Sequence, residues 1–206
     1  MILMKKEQIN RSDFELWKSF KEGNDEALKT IYYNHFKHLY NYGRKFSSDK
    51  ELVENCVQDL YIDLIKKREN LGDTNNISLY LLKAIKRKII RRLQQEKKTL
   101  NLDFTFAEWP STYESITSNT NAAYREKLFG VINQLSHQQR EIIYLKYFNS
   151  LNNKEIAEIL DLNYQTVRNV LVTALKKLRK SMKMLNFFFI MLFDKSSPIT
   201  TKQEHK

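Results

Sequence analysis

Apolar residues recur at three-and-four spacing through most of this chain, and that spacing constrains its fold more than any other feature. Val53, Cys56, Val57, Leu60 and Leu64 form one such stripe. Leu81, Leu82, Ile85, Ile89 and Leu93 form a second, and Val167, Val170, Leu171, Ala174, Leu175 and Leu178 a third. A stripe of this period buries one side of an α-helix, whereas a half-buried strand would alternate every second residue. With only 4 Gly and 2 Pro in 206 residues, there is little turn chemistry for a β-sandwich or a Gly-rich phosphate loop. Pro110 and Pro198 both fall outside the periodic stretches. The expected fold class is all-α.

The stretch from Thr99 to Asn121 breaks the pattern. It holds Asp103, Glu108 and Glu114, no Lys or Arg, many Ser, Thr and Asn, and the aromatic residues Phe104, Phe106 and Trp109 beside Pro110. That composition predicts a connector. The chain therefore divides into two small helical domains, at 12–98 and 124–182, joined by a flexible linker at 99–123 and followed by a tail at 183–206.

In the first half, Asp13 to Phe20 and Asp25 to Phe46 read as helices separated by Glu22-Gly23-Asn24, with Asn24 as the N-cap of the second. Glu51 to Asn70 is a cleaner helix, whose outward face collects Glu51, Glu54, Asn55, Gln58 and Asp59. Ser78 to Lys98 interleaves its apolar stripe with Lys83, Lys86, Arg87, Lys88, Arg91 and Arg92. Like charges at helical spacing repel by a few tenths of a kcal/mol per pair. Three readings stand for this face: a solvated surface, a surface tracking phosphates by counterion release, or a helix lying on anionic lipid. Tyr80 is placed to stack on an unpaired base, and Tyr61 could reach the same surface if the two helices pack.

The second half reads as a helix-turn-helix. Ser136 and Gln139 make a capping box, and Asn152 and Glu155 make another. Ile156, Ala157, Ile159 and Leu160 build a short helix, Asp161-Leu162-Asn163 a three-residue turn, and Tyr164 opens the next helix. Ala157 matters because two helices crossing steeply after so short a turn need a small residue at the contact. The exposed start of the last helix offers Tyr164, Gln165, Thr166, Arg168 and Asn169, side-chain types that read base edges in a major groove. Lys176, Lys177, Arg179 and Lys180 follow, placed for phosphates, although a helix dipole alone also favours cations there.

Leu135-Ser136-His137-Gln138-Gln139-Arg140-Glu141-Ile142, the run from Tyr147 to Leu160, and Tyr164-Gln165-Thr166-Val167-Arg168 resemble the promoter-reading C-terminal domain of the sigma-70 family. Gly23-Asn24-Asp25-Glu26-Ala27-Leu28 and Glu54-Asn55-Cys56-Val57-Gln58-Asp59-Leu60-Tyr61 resemble that family's other characteristic segment. The likeness spans about residues 12 to 182. The short connector resembles the extracytoplasmic-function subgroup, and the abundance of Asn, Lys and Tyr resembles its iron-transport-regulator type from Bacteroidetes.

The resemblance implies a dissociable specificity subunit of bacterial RNA polymerase that directs the core enzyme to promoters. It assigns Glu54, Gln58 and Asp59 to docking on the β′ coiled coil, with the β and β′ subunits as core partners. It assigns Tyr80, Lys83, Lys86, Arg87, Lys88 and Arg91 to the −10 element, and Tyr164, Gln165, Thr166, Arg168, Asn169 and Lys176 to the −35 element. An anti-sigma factor is a further partner of this kind. The sequence departs from the family at Arg87 and Arg91, where Asn and Asp are frequent, at Asp161, where the turn usually has Gly, and at Val170, where a basic residue is common. The alternative is a stand-alone helix-turn-helix regulator, which would bind palindromic duplex DNA as a dimer.

A net charge of +11 agrees with a polyanionic partner. Cys56, the one cysteine, excludes an internal disulfide and a thiolate zinc cluster, and suits a reducing cytoplasm. His35, His38, His137 and His205 lack ligand spacing, and the sequence offers no nucleophile–base arrangement and no phosphate-binding Gly loop, so no metal, cofactor or catalytic residue is expected. The N-terminus lacks signal-peptide order. The longest apolar run, Phe187 to Phe193, has roughly seven residues where a membrane span needs about 20. A cytoplasmic protein without direct membrane insertion is expected. The Phe-rich tail reads as packing onto the second domain, as a partner-binding segment, or as a frayed end.

Overall fold

Asn24 and Asp49 turn the first half of the chain into helices by satisfying amides that a helix start leaves open. In the computed structural model, which describes residues 13–96 and 122–181, helix α1 covers residues 13–21. Gly23, at φ +95°, makes the turn that follows. Asn24 then accepts from the amides of Glu26 and Ala27 to start α2 (Asp25–Gly43). Asp49 accepts from Leu52 N at 3.0 Å to start α3 (Lys50–Lys67), which runs into a short 3-10 turn at Arg68–Asn70. Helix α4 (Ile77–Glu96) is capped twice: Asn76 Oδ1 accepts from Leu79 N and Asp13 Oδ2 from Ile77 N, each at 2.9 Å.

The expected stripes point inward. Val53, Cys56, Val57, Leu60 and Leu64 of α3 meet Leu81, Leu82, Ile85 and Ile89 of α4 in one buried cluster, closed from the other side by Ile31 and Leu39 of α2. Each such side chain contributes about 1.5–3 kcal/mol when fully buried. Trp17 anchors α1 with its ring 5.0 Å from Tyr80 and its indole N–H donated to Gly72 O at 2.9 Å. Helix α2 ends at Gly43 rather than Phe46. There the amide bonds tighten from Arg44 N→Tyr40 O to Lys45 N→Tyr42 O and Phe46 N→Gly43 O, and Phe46 turns edge-on to Tyr42.

The second half contains α5 (Ala122–Asn133), α6 (His137–Tyr147), α7 (Asn153–Leu160) and α8 (Tyr164–Ser181). Both capping boxes form, at Ser136/Gln139 and at Asn152/Glu155. Arg140 is buried and gives its guanidinium to Asn133 O and Leu135 O, joining the end of α5 to α6. Asp161 adopts the left-handed conformation (φ 54°, ψ 46°) that the α7–α8 turn requires, where a residue with a side chain is less comfortable than Gly. Asn163 Oδ1 accepts from Thr166 N at 2.7 Å and opens α8. Of the expected linker at 99–123, residues 99–121 lie outside the described residues and the last two already belong to α5; the tail from 183, with its Phe187–Phe193 run, also lies outside them.

The halves touch. Tyr42 of α2 is fully buried, and its ring stacks on Tyr144 of α6 at 5.9 Å and 11°. Helix α4 lies against α7.

Candidate functional site

Three surfaces follow from this packing. On α3 the outward face is set by the inward stripe, so Glu51, Glu54, Asn55, Gln58 and Asp59 are all exposed. The same face continues into Ile62 and Ile65, each 45% exposed, which the sequence reading omitted. Their spacing from Gln58, four and then three residues, was the signal that could have found them.

On α4, Arg87, Arg91 and Arg92 are exposed, while Lys83, Lys86 and Lys88 are half-buried and held by acids. Lys88 pairs with Asp63 of α3 at 2.7 Å, and this bond holds the Asp63 carboxyl below its usual range. Lys83 pairs with Glu158 of α7 and Lys86 with Glu141 of α6, each at 2.9 Å. The basic face is thus divided: the arginines reach solvent and two lysines face the second half. Tyr80 is half-buried against Trp17, and burial raises its phenol. Tyr61 does not reach this surface. It is buried 4.9 Å from Tyr32, which burial accompanies with a strongly raised phenol.

On α8, Val167, Leu171, Ala174 and Leu178 are buried, which turns Tyr164, Gln165, Arg168, Asn169 and Lys176 outward, with Thr166 partly covered. Gln165 Nε2 donates to Asn169 Oδ1 at 3.0 Å. Val172, 44% exposed, continues the row one turn beyond Arg168 and was not anticipated. Lys177 turns sideways to donate to Gln139 Oε1 at 3.3 Å. This exposed helix start thus bears Arg, Asn and Gln, side-chain types able to pair with base edges.

Among the described residues no group of three or more His, Cys, Asp or Glu could hold a metal ion, and no helix is long and apolar enough to cross a membrane. Cys56 is buried in the α3 stripe. His35 is lowered from its usual value chiefly by burial, with Asp13 opposing that shift.

The sequence matches the family model for sigma-70 region 2 over residues 31–99 and the model for sigma-70 region 4 over residues 125–178. This chain belongs to the sigma-70 family. The region 2 match takes in α3 and α4, and the region 4 match takes in α6, α7 and α8 as far as residue 178. The sigma factor is 24% identical over 160 residues to RNA polymerase sigma factor SigV of Bacillus subtilis, covering 77% of this chain and 93% of that one. It is 23% identical over 159 residues to ECF RNA polymerase sigma factor SigL of Mycobacterium tuberculosis, covering 77% and 90%. Both relatives are matched over nearly their full length, and the second of them is named as an ECF sigma factor.

Two solved structures share its fold. CnrH in complex with the cytosolic domain of CnrY superposes with TM-score 0.54 at 17% identity, covering 84% of this chain and 97% of that one. The sigma factor RpoE in complex with the anti-sigma factor NepR from Bartonella quintana superposes with TM-score 0.52 at 19% identity, covering 75% and 96%. As a member of the sigma-70 family, matched in regions 2 and 4, the chain is a transcription initiation factor that acts with RNA polymerase.

Proposed function

We propose that this sigma factor divides promoter recognition among three helices. Helix α3 docks on the β′ coiled coil of the polymerase core through Glu54, Gln58 and Asp59, with Ile62 and Ile65 supplying the apolar centre of the contact. Helix α4 meets the −10 element through Tyr80, Lys83, Lys86, Arg87, Lys88 and Arg91. Helix α8 reads the −35 element through Tyr164, Gln165, Thr166, Arg168 and Asn169, with Lys176 on the phosphates.

The observation that carries this reading is the row on α8, where exposed base-reading side chains stand on a helix whose other side is locked into the core. Phosphate contacts fix register and base contacts give specificity. A rigid helix presenting both kinds of group in one row suits that task. The docking face on α3 suits a protein partner, because the exposed Ile62 and Ile65 set an apolar patch one turn beyond the carboxylates and amides of the same face. An inhibitor of the anti-sigma kind belongs to the same reading, since RpoE, with which the chain shares its fold, is recorded bound to one.

The test is reconstitution. Purified protein and core polymerase are incubated with a fragment library of the source genome, and transcripts are sequenced. Defined start sites that need both components support the proposal. Tight binding of the free protein to a palindromic duplex, with no effect on polymerase, would favour the stand-alone regulator instead.

A further inference from the structure

Helix α2 turns Ile31 and Leu39 inward and leaves an outer row of Lys29, Tyr33, Lys37, Tyr40 and, at its C-cap, Arg44. Steps of four, four, three and four residues keep these side chains on one line along a helix. At 1.5 Å per residue the line runs about 22 Å. Lys29, Tyr33 and Lys37 are exposed, and Tyr40 and Arg44 are half-buried.

The rings of this row stand among neighbours that fix them. Tyr33 is 71% exposed, and Tyr32 meets it edge-on at 5.7 Å and 83°. Phe36 lies parallel to Tyr40 at 6.3 Å and 9°. The charges around them have one sign. From Ala27 to Ser48 the chain contains no Asp or Glu, whereas a merely solvated helix face mixes both signs. Lys29 pairs with Glu26 at 3.5 Å, but both are exposed, and such a pair opens at little cost. Arg44 donates to Ser48 O. Lys37 makes no ion pair among the described residues.

We propose that this row is a binding track for single-stranded nucleic acid, separate from the surfaces on α4 and α8. Bases stack on Tyr33 and Tyr40, and phosphates meet Lys29, Lys37 and Arg44. Every base has a π-face, so aromatic side chains accept any sequence, while cations set between them follow the backbone and release its counterions. A duplex covers its base faces with neighbouring bases, so the rings favour a single strand. A protein partner fits less well. The centre of a protein interface is depleted of charge, and lysine in particular is scarce there, yet here lysines interrupt the rings at each turn.

The experiment uses the full chain with Tyr33→Ala, Lys37→Ala and the double variant. Tyr33 and Lys37 are both exposed, and circular dichroism with thermal melting verifies that each variant folds. The probes are labelled oligo-dT and oligo-U of about 12 nucleotides, within the roughly 4–16 that one stacking platform covers. Fluorescence anisotropy reads affinity and its salt dependence. Tyr33→Ala should weaken binding by about tenfold. Lys37→Ala should lower the slope of log affinity against log salt by about 0.7, the value for one phosphate contact on a single strand. Irradiation of the wild-type chain with an oligo-dT carrying 5-iodouracil, followed by trypsin, should tag the peptide from Thr30 to Lys37.

Losses shared by oligo-dT and oligo-U support the track, and a loss confined to one of them names the strand it takes. Unchanged affinity in folded Tyr33→Ala, or a tag confined to peptides of α4 and α8, would overturn it. A duplex of the same length that binds as tightly and loses as much in Tyr33→Ala would overturn its preference for single strands. Tyr33→Ala that keeps its affinity for oligo-dT but is no longer retained on core polymerase would give the row to a protein partner, and the proposal would fall.

Discussion

Gln165 donates its side-chain N–H to the side-chain carbonyl of Asn169, one turn further along α8, at 3.0 Å. Two amides of the type that reads adenine therefore hold each other in place before DNA arrives, and the rotamer freedom that binding would remove is already reduced. Gln165→Ala should loosen Asn169 as well as deleting its own contact. A double-mutant cycle with Asn169→Ala, read by duplex binding of the polymerase holoenzyme, should show coupling of about 0.5–1 kcal/mol. Strictly additive losses would contradict the pairing.

Arg168 lies on the same exposed row. Arg168→Glu replaces a groove-reading donor with a charge that repels phosphate. The expected loss is about 1–3 kcal/mol for one base contact, and more at low salt. It should appear in −35-dependent promoter binding, with retention of the variant on immobilised core polymerase unchanged.

The α3 face should behave in the opposite way. Gln58→Ala with Asp59→Ala removes rim contacts, while Ile62→Ala removes an apolar anchor. Central apolar contacts usually outweigh rim polar ones, so Ile62→Ala is expected to weaken core binding by about 1–2 kcal/mol and to exceed either polar change. Competition with a labelled sigma factor for core polymerase measures this. Equal effects of rim and centre would count against an apolar centre.

Gly43 marks the closest approach of three helices. A Cβ built there would lie 2.7 Å from Ile89 Cδ1 and 2.7 Å from Val53 Cγ1. Gly43→Ala should therefore overpack the first half and lower its stability by about 1–3 kcal/mol in denaturant unfolding. Val53→Ala in the same chain makes room for the added methyl and should recover part of that loss.

Burial pushes the Lys45 ammonium from 10.5 down to about 8. Its folded value lies below its unfolded one, so between about pH 8 and pH 10.5 the unfolded chain holds more protons and stability rises with pH. Below that window both states are protonated, and burying the charge disfavours the folded state by a constant amount. Tyr42, raised well above 10 by burial and by Glu141, acts in the opposite direction once the unfolded phenol ionises. Wild-type Tm should climb from about pH 7.5 to about pH 9.5. Lys45→Met should be more stable at neutral pH and should lack the climb.

The helices were legible because their causes are local. Apolar stripes at 53–64 and 81–93 and the caps at Asn24, Ser136 and Asn152 are written within a few neighbouring positions, and each forms as expected. At Asp161 the signal came from the family resemblance, in which the turn usually has Gly, and the residue does take the left-handed conformation that a Gly adopts more comfortably. Helix ends were less legible: α2 stops at Gly43 and not Phe46, at a position where α3 and α4 leave no room for a Cβ, a contact between distant segments that no local pattern records. The exposure of the α3 and α8 candidates follows directly from their stripes. What escaped was the fate of Lys83 and Lys86, because their partners Glu158 and Glu141 stand 75 and 55 residues away and appear in sequence as ordinary acids in a different helix. Charge counting finds cations and gives no information about which are already engaged.

Asn76 and Glu155 each serve two masters. Asn76 caps α4 through Oδ1 and reaches Glu155 through Nδ2, while Glu155 meets Asn76 through Oε1 and closes the α7 box through Oε2, bonded to Asn152 N at 2.6 Å. Parting the halves breaks the one link between these two side chains and leaves both helix starts fastened. Each helix start is held by a bond of its own, so neither first turn depends on the contact that joins the two side chains.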